Sequence, residues 1–225
     1  MTVLPAKKLP ARRGLSAALL SALIAAASLP MVVSDIALAP SAQAQSASAA
    51  SAPIATLYAT LTRAEASDAG APEARAALIG PAVDQAFDLE TVLRNSVGLR
   101  YAGLSADEKA KLLRAFRDYT VARYVSNFKP GAGAKFTIAP ATRPSPFGNG
   151  VIVDTTIGGS SDTPTAVDYV MQAGSGGYRI VDVLLDAHIS QVATQRADFS
   201  SALNSGGVPA LIALMNRKTQ TFMQN

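Results

Sequence analysis

The chain has 225 residues, with 20 Lys and Arg against 16 Asp and Glu, one His, no Cys and no Trp, for a formal charge of +4. Lacking Cys, it has no disulfide, Cys-ligated zinc, iron–sulfur cluster or cysteine nucleophile, and with His188 as its lone imidazole it has no site that needs two. The basic excess, which taken whole invites nucleic acid, is local. Lys7, Lys8, Arg12 and Arg13 precede residue 45 with only Asp35 against them, which leaves 16 bases and 15 acids over residues 45–225. A near-neutral domain does not supply the basic, aromatic-interleaved surface that nucleic acid requires.

Residues 1–44 read as a secretory signal. A basic start leads into an apolar run over residues 15–29, and Ala42 and Ala44 give the small-x-small pattern of a signal peptidase site, with cleavage expected before Gln45. The alternative, an uncleaved anchor over residues 15–38, would be long enough to cross a bilayer but is interrupted by Pro30 and Asp35. No Cys stands at the cleavage point to take a lipid, and the expected destination is the periplasm or the cell exterior. Residues 45–53, Ser/Ala-rich and with little to bury, are expected to form a mobile tail, so the folded domain is placed at residues 54–225.

The first half of that domain has helical periodicity. Ile54, Leu57, Tyr58 and Leu61 fall at spacings of three and four, which predicts a helix over residues 54–66. Pro72 opens a second helix that runs to Phe87, and Asp88 is placed to cap a third that ends near Gly98. Ser105 and Glu108 form a capping box at the head of a long helix whose face carries Leu112, Leu113, Phe116, Thr120, Tyr124 and Phe128, and Pro130-Gly131 stops it. On its opposite face Arg114 and Asp118 are spaced for an (i, i+4) pair.

The period then changes. Residues 135–140, 150–157, 166–173 and 178–185 are short β-branched or aromatic segments bounded by Gly, Pro, Ser and Asn, and their connections are too short for crossovers. Four antiparallel strands are expected, with Val151, Val153, Thr155 and Ile157 on one face of the second and Val167, Tyr169 and Met171 on one face of the third. Residues 174–177 form a hairpin connection. Two more helices are expected at about residues 189–203 and 208–222, separated by Gly206-Gly207. Helices, then a meander, then helices define an α+β fold with a curved four-stranded sheet against helices.

Candidate chemistry is sparse. His188 beside Asp186 could act in acid–base work, but G-x-S-x-G is absent and a strand-end surface role is the simpler reading. Asp168, Tyr169 and Asp182 sit within or beside apolar strand runs, and a carboxylate with a phenol could serve a small isomerase, although alternation puts Asp168 on the face opposite Tyr169, solvated or salt-bridged. The glycine clusters at 131–133 and 174–177 are followed by no helix that could hold a phosphate. What remains is aliphatic and aromatic surface on the long helix and the sheet.

Three segments together resemble the MlaC family, periplasmic phospholipid-binding components of an ABC-type lipid transport system that are also known as toluene-tolerance proteins. They are AFDLETVLRNSVG at residues 86–98, LSADEKAKLLRAFRDYTVARYVSNF at 104–128 and VDYVMQAGSGGYRIVDVLLDAHISQVATQRADF at 167–199. The run at 189–196 is closer to the hopanoid-associated HpnM branch. The resemblance implies an NTF2-like, MlaC-type cone of sheet wrapped by helices around an apolar cavity. It implies a phospholipid or hopanoid as cargo, no catalytic residue, metal or cofactor, and partners in an inner-membrane ABC/MCE-type complex and an outer-membrane lipoprotein complex. The expected cavity lining is Phe116, Tyr124, Val125, Phe128, Val151, Val153, Val167, Tyr169, Met171 and Ile180. The competing expectations are a small-molecule isomerase or hydrolase in the same cavity, and an envelope scaffold with a filled core.

Overall fold

A computed structural model describes residues 42–146, 148–159 and 163–224. The expected signal at 1–44 falls almost entirely outside these residues. Helix α1 (Ala42–Ala64) begins twelve residues before Ile54, where the sequence pattern starts it. The expected mobile tail at 45–53 is therefore helical, with Ala47 and Ala50 buried and the Ser46 hydroxyl 3.2 Å from that of Tyr178. The reason is that Ala is the best helix former and can itself carry the apolar stripe, so Ala47, Ala50, Ile54, Leu57 and Leu61 form one continuous buried seam. Pro53, which removes one backbone hydrogen bond, lies inside the helix instead of at its start.

Helices α2 (Pro72–Ala86) and α3 (Leu89–Val97) begin and end where the sequence places them. Asp88 caps α3, accepting from the Thr91 amide at 2.9 Å, and Gly98 follows with φ +74°, a left-handed value that glycine takes without strain. A 3-10 turn (Gly98–Gly103) leads to α4 (Ala106–Asn127). The capping box is present at its head: the Ser105 hydroxyl accepts from the Glu108 amide, and the Glu108 carboxylate accepts from the Ser105 amide at 2.9 Å. The Ser105 hydroxyl also donates to the Glu108 carboxylate at 2.7 Å, and this bond, with the one from the Ser105 amide, holds the Glu108 carboxyl below its usual range. The expected Arg114–Asp118 pair is replaced by Arg117, which reaches both Asp118 (3.6 Å) and Asp84 of α2 (2.7 Å) and so ties two helices together.

The sheet has five strands, not four, in the order β1-β2-β3-β4-β5, all antiparallel: β1 (Lys135–Pro144), β2 (Val151–Gly158), β3 (Thr165–Gly174), β4 (Gly177–Leu185) and β5 (Ile189–Ser190). The fifth is only two residues, paired to Leu184 and Leu185, and takes the start of the expected fifth helix. β1 runs four residues past its expected end because it is an edge strand whose register shifts between Ile138 and Thr142, where Pro140 is tolerated. Helix α5 (Gln191–Gln224) breaks at Gly206-Gly207, with Gly207 at φ +65°, so the two expected terminal helices are its two arms. α1 packs against β1, β2 and β4, while α4 lies between α2 and α5. No helix among the described residues is long and apolar enough to cross a membrane.

Candidate functional site

The inner sheet face and the aromatic face of α4 leave space between them. On β2 and β3, Thr155, Val167 and Tyr169 point inward by strand alternation, while Asp168 points outward. Asp168 is nonetheless buried, and is held by Arg143, whose guanidinium also reaches Asp154 (2.8 and 2.7 Å). This is the salt-bridged form of the expected outward carboxylate.

A cavity of about 180 Å³ lies where these faces meet the start of α5. On α4 its wall is a single helical stripe, Phe116, Tyr119, Thr120, Arg123, Tyr124, Asn127 and Phe128. The sheet contributes Ile157, Val167, Tyr169, Asp182, Val183 and Leu185, and Phe87, Leu89 and Val92 close the side toward α3. Aromatic rings continue beyond the walls: Phe87 meets Tyr124 edge-on at 6.1 Å, Tyr124 stacks near Phe128 at 6.0 Å, and Phe128 leads to Phe136 at 5.6 Å and on to Tyr58 at 4.4 Å.

Five of the ten expected lining residues, Phe116, Tyr124, Phe128, Val167 and Tyr169, stand on this cavity. The other five do not line it. Val125, Val153, Met171 and Ile180 are fully buried in close-packed core, and Val151 is half-buried against that core. Val151, Val153, Met171 and Ile180 share the inner sheet face but sit farther along it, whereas Val125 lies on the face of α4 turned away from the cavity, where its carbonyl accepts from Arg75 of α2. Tyr119 was within reach of sequence reasoning as the i+3 neighbour of Phe116. Asp182, noted in the sequence as a carboxylate in an apolar strand run, does stand on the cavity; the polar lining from Gln191 and Gln195 was out of reach, because it depends on how α5 leaves the sheet.

The polar groups concentrate toward the α5 end. Asp182 is fully engaged, its carboxylate accepting from the Val183 amide within β4 (2.7 Å) and, at the start of α5, from the Val192 amide (3.1 Å) and the Ser190 hydroxyl (2.5 Å), the last two of which cap that helix. Arg123, half-buried, donates to the Gln191 side chain at 2.7 Å and forms no ion pair with any described carboxylate. It is the only cation on the cavity wall among the described residues.

At the opposite end the Tyr169 phenol faces those of Tyr58 and Tyr124, and Tyr58 pairs with the Thr155 hydroxyl at 2.7 Å. Burial pushes all three phenols above their ordinary value, Tyr169 and Tyr124 the furthest. An acid–base catalyst needs a group tuned toward neutrality, and these are moved away from it. His188 is exposed past β4, its ring nitrogen against the Asp186 carbonyl, and does not line the cavity. Among the described residues no three His, Asp or Glu side chains are grouped to hold a metal ion.

An antiparallel sheet backed by helices, with a largely apolar cavity carrying one cation on its wall among the described residues, defines an α+β domain of the cavity-bearing kind. The chain belongs to the MlaC family, whose profile it matches over residues 52–217. Its fold is similar to that of a phospholipid-binding protein from Ralstonia solanacearum, solved in complex with a phospholipid, with a TM-score of 0.63 at 16% identity over 77% of this chain and 98% of that one. No curated protein matches the sequence.

Proposed function

We propose that this protein is a periplasmic, non-catalytic lipid carrier that shelters the acyl end of a phospholipid in the cavity between α4 and the sheet. The observation that carries the reading is the cavity itself: a wall of aromatic and aliphatic side chains with Arg123 toward one end. It gains support from membership of the MlaC family and from the likeness of fold to a protein that holds a phospholipid. In this reading Arg123, bonded only to a neutral glutamine, meets the headgroup phosphate. The chemistry of the wall also accommodates the fused rings of a hopanoid. Lipid would be exchanged with an inner-membrane ABC/MCE-type complex and an outer-membrane lipoprotein complex.

The size of the cavity adds a condition. An apolar cavity of about 150 Å³ takes one benzene, so the 180 Å³ found here admits one chain end and not a whole diacyl lipid. Loading therefore requires α4 and the sheet to separate. The test is mass spectrometry of lipid extracted from protein exported with residues 1–44 intact. Recovery of stoichiometric phospholipid or hopanoid is expected. Protein that is lipid-free and also fails to take lipid from vesicles overturns the reading.

A further inference from the structure

The 3-10 turn after α3 carries Leu99 with 99% of its surface exposed; among the described residues the other exposed large apolar side chain is Ile189, at 43%. A single exposed leucine is ordinary; its surroundings here are not. Arg94, Arg100 and Arg196, all exposed, line the same shallow groove between α3, the turn and the first arm of α5. Each guanidinium is bonded to a neutral acceptor: Arg94 to the Thr91 hydroxyl (3.1 Å), Arg100 to the Asn204 amide oxygen (2.6 Å), and Arg196 to the Asn95 carbonyl (2.6 and 3.0 Å). None of the three forms an ion pair with a described carboxylate, whereas Arg117, Arg143 and Lys218 all do. Lys109 adds a further cation over the Tyr101 ring at 5.4 Å; the acids nearby are Glu90, 3.4 Å from the Tyr101 hydroxyl, and Asp88, which accepts from the Thr91 hydroxyl at 2.7 Å.

We propose that Leu99 and the three arginines form a docking surface for an anionic bilayer, with the leucine entering the headgroup layer and the guanidiniums bonding lipid phosphates. The chemistry is complementary on both counts. Guanidiniums tethered by neutral bonds keep their full charge and have donors left for a bidentate phosphate contact. The turn presents its apolar side chain outward at the same level, as an interfacial anchor must. The patch also adjoins the cavity: Arg196 follows Gln195, which lines it, and Gln195 bonds across to Ser96 of α3 at 2.9 Å. Docking there would set one end of the cavity wall close to the membrane surface. An acidic protein surface is the competing occupant; it would need a pocket matched to Leu99, whereas the headgroup layer of a bilayer takes a lone apolar side chain without one. The docking reading goes beyond the carrier reading and does not require the cavity to hold lipid.

The experiment is co-sedimentation of the mature protein with phosphatidylcholine vesicles, with and without phosphatidylglycerol, over a range of salt. Binding is expected only with phosphatidylglycerol, and it should weaken as salt rises. Each Arg→Gln change should weaken binding about fivefold and the triple variant on the order of a hundredfold. Leu99→Ser should weaken it about tenfold without affecting folding, since the side chain packs on nothing. Lys at the three arginine positions should restore most of the binding, and Arg217→Gln on the far arm of α5 should leave it unchanged. Absence of binding at low salt overturns the proposal, as does an equal loss from Arg217→Gln, which would mean unspecific charge. So does a finding that the patch variants bind vesicles normally but fail to bind membranes bearing native proteins, which would assign the surface to a protein partner. Lipid occupancy of the same variants, read by mass spectrometry, is expected to stay at the wild-type level, so failure of docking and failure of the carrier reading are separately visible.

Discussion

Val167→Phe fills the cavity from the sheet side. At about 24 cal/mol per Å³ of unfilled apolar volume, a sealed 180 Å³ space would leave the empty protein on the order of 4 kcal/mol short of a filled one, an upper bound here because part of the wall is polar. A phenyl ring in place of the isopropyl group adds about four carbons, each worth about 0.8 kcal/mol when buried. Crowding against Tyr124 and Phe128 takes back about 1–3 kcal/mol. The expected net gain is about 1 kcal/mol, which for a domain of this size raises the melting temperature by roughly 2–4 °C. The same ring occupies the volume in which an acyl chain is proposed to lie, so lipid occupancy should fall sharply while stability rises. Calorimetry of delipidated protein and mass spectrometry of protein as purified give the two readouts. Ile152→Phe, at a buried position off the cavity, is the control and should lower stability without changing occupancy. A Val167→Phe protein that melts lower than wild type and still carries a full complement of lipid would show that the cargo site is elsewhere.

Arg75, 4% exposed, donates from one guanidinium nitrogen to the Val125 and Phe128 carbonyls at the end of α4 (2.9 and 3.1 Å), so Arg75→Met should cost about 2–4 kcal/mol in denaturant unfolding. Arg143→Ala strips the buried Asp168 of its cation and should cost about 2–3 kcal/mol, and Asp168→Asn added to it should recover part of that loss in the same assay. The raised Tyr58, Tyr124 and Tyr169 pKa values mean that the unfolded chain gives up these protons first. Stability is therefore intact below pH of about 10 and declines as pH climbs beyond it. Tyrosinate absorbance from these three should appear together with loss of circular dichroism, and their ionisation in a still-folded protein would contradict the burial argument. Arg123→Gln should keep the fold and lower retention of anionic lipid more than that of zwitterionic lipid.

What was legible in the sequence was what local chemistry decides. Ser105 with Glu108, Asp88 before α3, Gly98 after it and Gly206-Gly207 within α5 each mark a backbone event that one or two residues determine, and each stands where expected. Period 3.6 put Phe116, Thr120, Tyr124 and Phe128 on one face, and all four line the cavity. Missed was what depends on distant partners. Residues 45–53 read as a tail because alanine is not counted as an apolar stripe until something packs against it. β5 is two residues that become a strand only because Leu184 and Leu185 present a free edge. Alternation says which face Val153, Met171 and Ile180 occupy but not what lies opposite. α1 packs over β2 and β4, so part of the inner face is sealed core and only the remainder is cavity.

That division bears on how an empty carrier remains folded. A site that held most of a lipid would have a volume of roughly 600 Å³, and left dry it would cost on the order of 14 kcal/mol, as much as the whole stability of a typical domain. A carrier with a pocket of that volume must therefore leave it open to water between deliveries instead of keeping it sealed and dry. The cavity of about 180 Å³ is within what a domain can tolerate, and its walls are aromatic rings and aliphatic side chains that can change rotamer without breaking backbone hydrogen bonds. The alternative for the cargo is worse still, since two acyl chains in water cost on the order of 25 kcal/mol at about 0.8 kcal/mol per CH₂. Loading can thus drive the walls apart with energy to spare, and unloading lets them close. Hydrogen exchange of delipidated and lipid-loaded protein should then differ along α4 and at the start of α5, which form the cavity walls, and agree along the α1 seam, which does not. Equal exchange at α4 in the two states would mean that the walls do not move, and that a lipid seated in this protein lies outside the cavity.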